Sequence, residues 1–258
     1  MLCRYAKNEW LTIIVIGAMF AMTLAIVGWW WPCALAVVAT VALLLFFRDP
    51  NRDTPSQRGL MVSPADGRVS SIHQVKHFEP FGEPAACVRI FMSVFVVHVN
   101  RSPCHGQVKS VTHKPGQFRN ALNPDSAEVN TNNLIVLEHP SRHEPVAAVR
   151  QVAGLLARTI ACAVRPGQIL QRGQRLGIIK LGSTVELYIP RSTKPQILVQ
   201  HGQKVLAGVT ALASVIPSEV DTPPPSPPPA PAAPRTAAST PPHKDPPQSP
   251  RNPQGRRH

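Results

Sequence analysis

The chain lacks paired metal ligands, any charge between Leu11 and Phe47, and a leader-type cleavage site within that run. Its five cysteines, Cys3, Cys33, Cys87, Cys104 and Cys162, show no C-x-x-C spacing and are odd in number. This argues against a zinc site and a disulfide framework, and for reduced, mostly buried thiols in a cytosol-facing protein. No Asp, Glu, Lys or Arg occurs among the 37 residues from Leu11 to Phe47. Such a run is too long for one membrane span and long enough for two short ones. No small-residue site separates its two apolar halves, which excludes a cleaved signal peptide.

What is present falls into three zones of a 258-residue chain with a formal net charge of +13. In the first zone Gly28 and Pro32 punctuate the apolar run, with Trp29, Trp30 and Trp31 between them. Leu11 to Val27 would span about 25 Å as a helix. Cys33 to Phe47 is shorter and must tilt, thin the bilayer or borrow the Trp residues, which read as an interfacial anchor. Arg4 and Lys7 precede the pair, and Arg48, Arg52 and Arg58 follow it. The excess of positive charge at both ends places them in the cytoplasm and the uncharged turn outside. Residues 1–50 are therefore expected to be a membrane anchor of two short helices, with the rest of the chain at the cytoplasmic face of the cell membrane.

Residues 51–215 read as one β-rich domain. Val88 to Val99 is β-branched, aromatic and almost continuously apolar, the pattern of a buried strand; Asn133–Glu138 and Ile178–Ile189 look similar. Val146–Cys162 starts with strand-like alternation, and its Ala and Leu content suggests helix near 154–160. A weak echo links Arg165–Gly177 to Val199–Gly208, each with Gly-Gln turns around a short strand. It resembles the barrel-sandwich hybrid of lipoyl and biotinyl carriers, without their Met-Lys pair. Residues 216–258 hold 15 of the 29 prolines and a basic end, Arg256, Arg257 and His258. Such a segment cannot bury enough apolar surface to offset its chain entropy, so it is expected to be disordered.

One short motif carries chemistry. Gly182-Ser183 sits between two strand-like runs. Glycine tolerates a strained turn that brings the next hydroxyl onto its own carbonyl. Serine can then attack, shift the acyl group from nitrogen to oxygen and eliminate, leaving a pyruvoyl ketone. Such a ketone is an electron sink for an amine substrate. Taken alone, Gly-Ser is more often an ordinary turn, Asp66 before Gly67 a turn residue, and His98 a satisfied core or edge histidine. His105, His113, His139 and His143 read as surface residues, and Asn130, Asn132 and Asn133 receive no role.

Several segments together decide the reading: Phe47-Arg48-Asp49-Pro50-Asn51-Arg52, Ser63-Pro64-Ala65-Asp66-Gly67-Arg68-Val69, Phe91-Met92-Ser93 with His98-Val99-Asn100-Arg101-Ser102-Pro103, Gln151 to Arg158, and Gly177 to Ser183. In this order, over about residues 40–215, the chain resembles the phosphatidylserine decarboxylases, in their short, membrane-anchored, archaeal-type form. The resemblance implies cleavage between Gly182 and Ser183 into a β chain, 1–182, and an α chain, 183–258, held as a heterodimer. It implies a covalent pyruvoyl cofactor derived from Ser183, with Asp66 and His98 driving the cleavage. Arg101 stands at the second histidine of the family's His-x-x-His-x-Pro pattern, and Val96 where many members carry Asp. An arginine cannot be a general base near neutral pH, so either His98 takes over as the base or the base is a different group. Arg101 is expected to bind the lipid phosphate or the departing carboxylate. The implied reaction turns phosphatidylserine into phosphatidylethanolamine and carbon dioxide at the membrane surface, with no metal and no nucleic acid. The rivals are a non-enzymatic barrel-sandwich adaptor, disfavoured by the absence of heptads, a pyruvoyl decarboxylase of another amino headgroup, and a homologue that never cleaves.

Overall fold

A computed structural model describes residues 2–120, 126–155, 159–179 and 183–215. They all lie within the first of two units into which the chain divides, Met1–Pro223. Gly182, residues 156–158 and the Pro-rich segment 216–258 are outside the described residues.

The apolar run forms two helices, α1 (Lys7–Ile26) and α2 (Trp30–Leu45). Gly28 turns the chain between them with φ +80°, a conformation costly for any residue with a Cβ. Pro32 falls in the first turn of α2, where its missing N–H leaves no hydrogen bond unmade. The helices touch closely: a Cβ on Gly17 would lie 2.3 Å from Thr40 Oγ1. Most of their large apolar side chains are exposed, Trp31 and Ile26 among them. Among the described helices, α1 alone is long and apolar enough to cross a membrane; at about 1.5 Å per residue it measures roughly 30 Å. It begins four residues before the expected Leu11, because Lys7, Asn8 and Glu9 continue the helix and Glu9 suits a first turn.

The remainder is mainly β, as expected. The strands are β1 (Leu60–Val62), β2 (Gly67–Phe78), β3 (Glu83–Met92), β4 (Val99–Arg101), β5 (Gly106–Lys114), β6 (Asn132–Glu138) and β7 (Pro145–Val152). They continue with β8 (Ile160–Cys162), β9 (Ile169–Leu170), β10 (Arg175–Ile179), β11 (Ser183–Pro190), β12 (Gln196–Ile197), β13 (Lys204–Val205) and β14 (Ala211–Ser214). Eight of them form one sheet in the order β13-β2-β3-β11-β7-β6-β5-β9, and two three-stranded sheets run β4-β10-β8 and β1-β14-β12. β11 is central and antiparallel to both neighbours, Ser183 pairing with Met92 and Thr184 with Val152.

All eight residues of β11 are buried, so its period-2 alternation serves two environments. Val185, Leu187 and Ile189 join the main core with Ile90, Leu137 and Leu176. On the opposite face Glu186 accepts from Arg89 Nε at 2.8 Å and Tyr188 Oη at 2.6 Å, and Arg150 lies 3.4 Å away. Burial and the Glu186 charge push the Tyr188 hydroxyl well above its ordinary pKa, so it remains a donor. The helix pair rests on the small sheet, where Cys3, Ala6 and Phe47 pack against Val97, Val99 and Ile178.

Two expectations are corrected. The apolar run Val88–Val99 is not one strand: β3 stops at Met92, a turn closes with Val96 N–H on the Ser93 carbonyl, and the chain re-enters as β4 in another sheet. The helix expected near 154–160 is corrected at its last residue, where Ile160 opens β8 and pairs with Ile179; residues 156–158 lie outside the described residues. The repeated Gly-Gln turns share one design. In 165–168, 171–174 and 200–203 the first residue's N–H donates to the glutamine side chain and its carbonyl accepts the glutamine N–H. Gly167, Gly173 and Gly202 take φ between +77° and +85°, the requirement of a type II turn.

Gly67 opens β2 at φ +155°, and a Cβ there would meet the Phe91 carbonyl oxygen at 2.1 Å. Gly67→Ala is therefore expected to cost at least about 2 kcal/mol, read as a lowered unfolding midpoint of the detergent-solubilised chain.

Candidate active site

Ser183 begins the central strand β11, on the face that turns toward the core. It is fully buried, and its Oγ meets only the Met92 sulfur at 3.6 Å among the described residues. A thioether is a weak acceptor, so the hydroxyl is held loosely.

His98 lies just before β4, and its carbonyl accepts the Ile179 N–H at 3.3 Å. The end of β10 is thus tied to His98. Four peptide steps separate Ile179 from Ser183, a reach of at most about 14 Å. The imidazole has no exposed surface and packs on the Phe46 ring at 4.2 Å between centroids. Neither ring nitrogen has a hydrogen-bond partner among the described residues. Burial pushes its pKa down to about 4, opposed by the nearby Val96 backbone, which is too poorly placed to count as a hydrogen bond, and helped slightly by the Arg48 charge. It is neutral at physiological pH and free to accept a proton.

The structure does not join Asp66 to His98 by a hydrogen bond. The Asp66 carboxylate receives both prongs of the Arg52 guanidinium, at 2.5 and 2.7 Å, and the Ala207 N–H at 2.8 Å. Its charge reaches His98 only through space, as a minor influence favouring protonation. Arg101 is likewise engaged. It donates to Asp49 Oδ1 at 3.0 Å, to the Pro50 carbonyl at 2.9 Å and to the Gly173 carbonyl at 3.0 Å. Arg175 holds the other Asp49 oxygen.

Reasoning from the sequence missed several residues that shape this site. Asn100 and Gln151, both fully buried, are joined by Gln151 Nε2 donating to Asn100 Oδ1 at 2.7 Å. Asn133 Nδ2 donates to Gln151 Oε1 at 3.0 Å, and Asn100 Nδ2 points at the same Met92 sulfur at 3.7 Å. Phe46, Asp49 and Arg52 belong here too. Asp49, Arg52, Asn100 and Gln151 lay inside the motif blocks, but no spacing rule assigns such residues a task. Two open clefts lie elsewhere. One of about 500 Å3 includes Met61, His105, Arg142 and Lys194, and one of about 250 Å3 is lined by Lys114, Ala127, Glu128, Asn132 and Arg150. Neither is lined by Ser183 or His98.

A family model described as phosphatidylserine decarboxylase matches residues 40–213, which include every residue of this site. The chain belongs to the phosphatidylserine decarboxylase family. It is 42% identical over 203 residues to the phosphatidylserine decarboxylase proenzyme of Rhodopirellula baltica, covering 78% of this chain and 84% of that protein. The proenzyme of Ralstonia nicotianae is 40% identical over 206 residues, 78% of this chain and 92% of its own. That of Solidesulfovibrio magneticus is 40% identical over 215 residues, 82% and 96% respectively. In this decarboxylase-family chain the match starts inside α2 and stops in β14.

Two predictions follow from the geometry. The folded His98 pKa lies below the value of about 6.5 in an unfolded chain, so the unfolded state binds the proton first. Stability from this residue is full above about pH 6.5 and falls as pH drops toward 4, by roughly 3 kcal/mol in all. Comparing unfolding free energies at pH 7 and 4.5 should show a smaller drop for His98→Gln than for the parent in an uncleavable Ser183→Ala background. Arg101→Ala should lower stability, by up to about 3–5 kcal/mol, because Asp49 stays buried with one guanidinium fewer. An unchanged unfolding midpoint with a raised KM for lipid would instead return Arg101 to substrate binding.

Proposed function

We propose that this chain is a self-processing, pyruvoyl-dependent decarboxylase that converts phosphatidylserine to phosphatidylethanolamine and carbon dioxide at a membrane surface. The observation that carries this reading is Ser183, buried at the head of a central strand with its hydroxyl on a weak acceptor, in a chain of this family. In this proposal Ser183 Oγ bonds to the Gly182 carbonyl carbon and passes its proton to His98. The Gly182–Ser183 C–N bond then breaks, the nitrogen takes up a proton, and an ester remains. Loss of the Ser183 Cα proton expels the Gly182 carboxylate and leaves a dehydroalanine, which water hydrolyses to a ketone and ammonia. The products are a β chain of residues 1–182 and an α chain of residues 183–258, paired as a heterodimer.

The surroundings of Ser183 suit a small ketone. Met92 leaves its oxygen without a strong partner, and His98 and Asn100 bring polar atoms that the protein leaves unsatisfied or weakly met. Such a group supplies an electron sink for loss of carbon dioxide from an α-amino carboxylate. His98, neutral in its dry pocket, can hold the proton that the substrate's Cα must receive. Asp66 acts through Arg52: the pair fixes the 49–52 segment against the turn at Ala207. A substrate role for Arg101 goes with release of part of its present fork.

The helix pair keeps the site beside the bilayer, where a two-chain lipid resides. Arg4, Lys7, Arg48, Arg52 and Arg58 at its ends support a catalytic domain on the cytoplasmic side.

Purified protein should separate into two chains on a denaturing gel, the smaller one blocked to Edman degradation. Ser183→Ala should stay whole and inactive. His98→Ala should accumulate precursor, its cleavage slowed by about 10²–10⁴-fold. An intact wild-type chain with unmodified Ser183 and no lipid turnover would overturn the reading.

A further inference from the structure

The proposed cleavage needs more than a nucleophile and a base. As Ser183 Oγ adds to the preceding carbonyl, that carbonyl's π electrons collect on its oxygen. In a pocket with no exposed surface an oxyanion is costly unless a donor is already aimed at it. The three buried carboxamides near Ser183 are arranged in one direction. Asn133 donates to Gln151, Gln151 donates to Asn100, and Asn100 Nδ2 comes last, next to the sulfur that Ser183 also touches. Asn133 and Gln151 each spend a donor on a carboxamide oxygen at 3.0 Å or less. Asn100 Nδ2 carries two N–H groups, and its one recorded contact among the described residues is a thioether at 3.7 Å. The reverse orientation would set a carboxamide oxygen against that sulfur with no proton between them.

We infer that Asn100 is a further catalytic residue of self-cleavage: its Nδ2–H donates to the oxyanion formed when Ser183 attacks, and Gln151 and Asn133 hold it in that orientation. The inference rests on the self-processing reading above. In the step, the Oγ–C bond forms, the oxyanion accepts the Asn100 N–H, and His98 receives the hydroxyl proton. As the C–N bond breaks, the carbonyl re-forms and the amide nitrogen takes the proton from the imidazolium. Asn100 neither gains nor loses a proton. Burial makes its single hydrogen bond count, since water cannot replace it. The direction of the relay matters as well, because each accepted bond polarises the next donor.

The test is the rate at which freshly made precursor becomes two chains, followed by intact mass, with thermal unfolding measured in the Ser183→Ala background for each variant. Asn100→Leu keeps the volume and removes both donors. It should fold and cleave about 10²–10³-fold more slowly, the loss typical of one oxyanion donor. Hydroxylamine cuts an accumulated ester, so it should leave Asn100→Leu slow if the fault precedes the ester. Gln151→Met frees Asn100 without removing it and should slow cleavage at least tenfold, which reads the same relay if Asn100→Leu precipitates. Wild-type rates in either folded variant, or hydroxylamine restoring the rate of Asn100→Leu, would overturn the inference. A wild-type chain that never cleaves overturns the self-processing reading instead, so the two failures are distinguishable.

Discussion

The Asp49 carboxylate holds the site together. It is 4% exposed, yet it sits between the guanidiniums of Arg101 and Arg175, one oxygen to each. Arg101 and Arg175 are themselves a register pair of β4 and β10. One irregular residue, four positions beyond the end of α2, thus clamps two strands of the small sheet. Burying the Asp49 and Arg101 charges, with Arg175 partly exposed beside them, is tolerable only when their hydrogen bonds are met, and removing one partner leaves the other to bear its desolvation cost. The neighbours extend the clamp. The Pro50 carbonyl takes another Arg101 donor, Arg52 forks Asp66, and Arg48 reaches the Phe95 carbonyl. Phe46 and Phe47 above them pack on His98 and Val97. The segment that follows the N-terminal helix pair therefore positions the loop bearing His98.

The residues on which the proposed chemistry would draw are far apart in sequence and held by different forces. Ser183 is placed by the ladder of β11 with β3, His98 by aromatic packing and a backbone bond to Ile179, and Asn100 by a carboxamide relay. Each is fully buried. A hydrogen bond to a buried amide left unmade costs about 1–3 kcal/mol, so the relay is held firmly where its bonds are made and only weakly at its last donor, Asn100 Nδ2 on the Met92 sulfur. The same strand that presents Ser183 inward carries Glu186 outward into a separate cluster with Arg89, Arg150 and Tyr188. That cluster braces the sheet from the other side.

Much of this was legible in the residues. The uncharged run from Leu11 to Phe47 gave the helix pair, and alternation and β-branching gave β6, β7 and β11. The Gly-Gln echo became three turns with the same bonds. Ordered motif blocks pointed to the family before any geometry was known. What stayed hidden depends on partners distant in the chain. Val88–Val99 is apolar throughout, and only three-dimensional packing splits it, because Val97 and Val99 serve the small sheet while Ile90 and Met92 serve the large one. Asp66 and Arg101 looked like reactive groups by type and position; their salt partners, Arg52 and Asp49, lie 14 and 52 residues away. Asn100 and Gln151 are ordinary polar residues in sequence, and their meaning comes from burial. The polar block at Asn132–Asn133 carried no readable task until β6 brought it beside Gln151.

The position of β11 has a consequence for how the protein ages. A chain cut ahead of Ser183 would have its new end inside the middle of the sheet, zipped along eight residues to β3 and along five to β7. The pieces would stay together through those ladders and the core, so the cut would be invisible in the folded shape. It would be decisive in the unfolded one. Two separate chains must find each other again, and the shorter would have lost the connection that once fed it into the sheet. The assembly would then resemble a spring-loaded product, made once from a continuous precursor and maintained by its barrier to opening. Its lifetime would be set by how rarely β11 leaves its two neighbours, and heat would inactivate it without return while the uncut precursor could still refold.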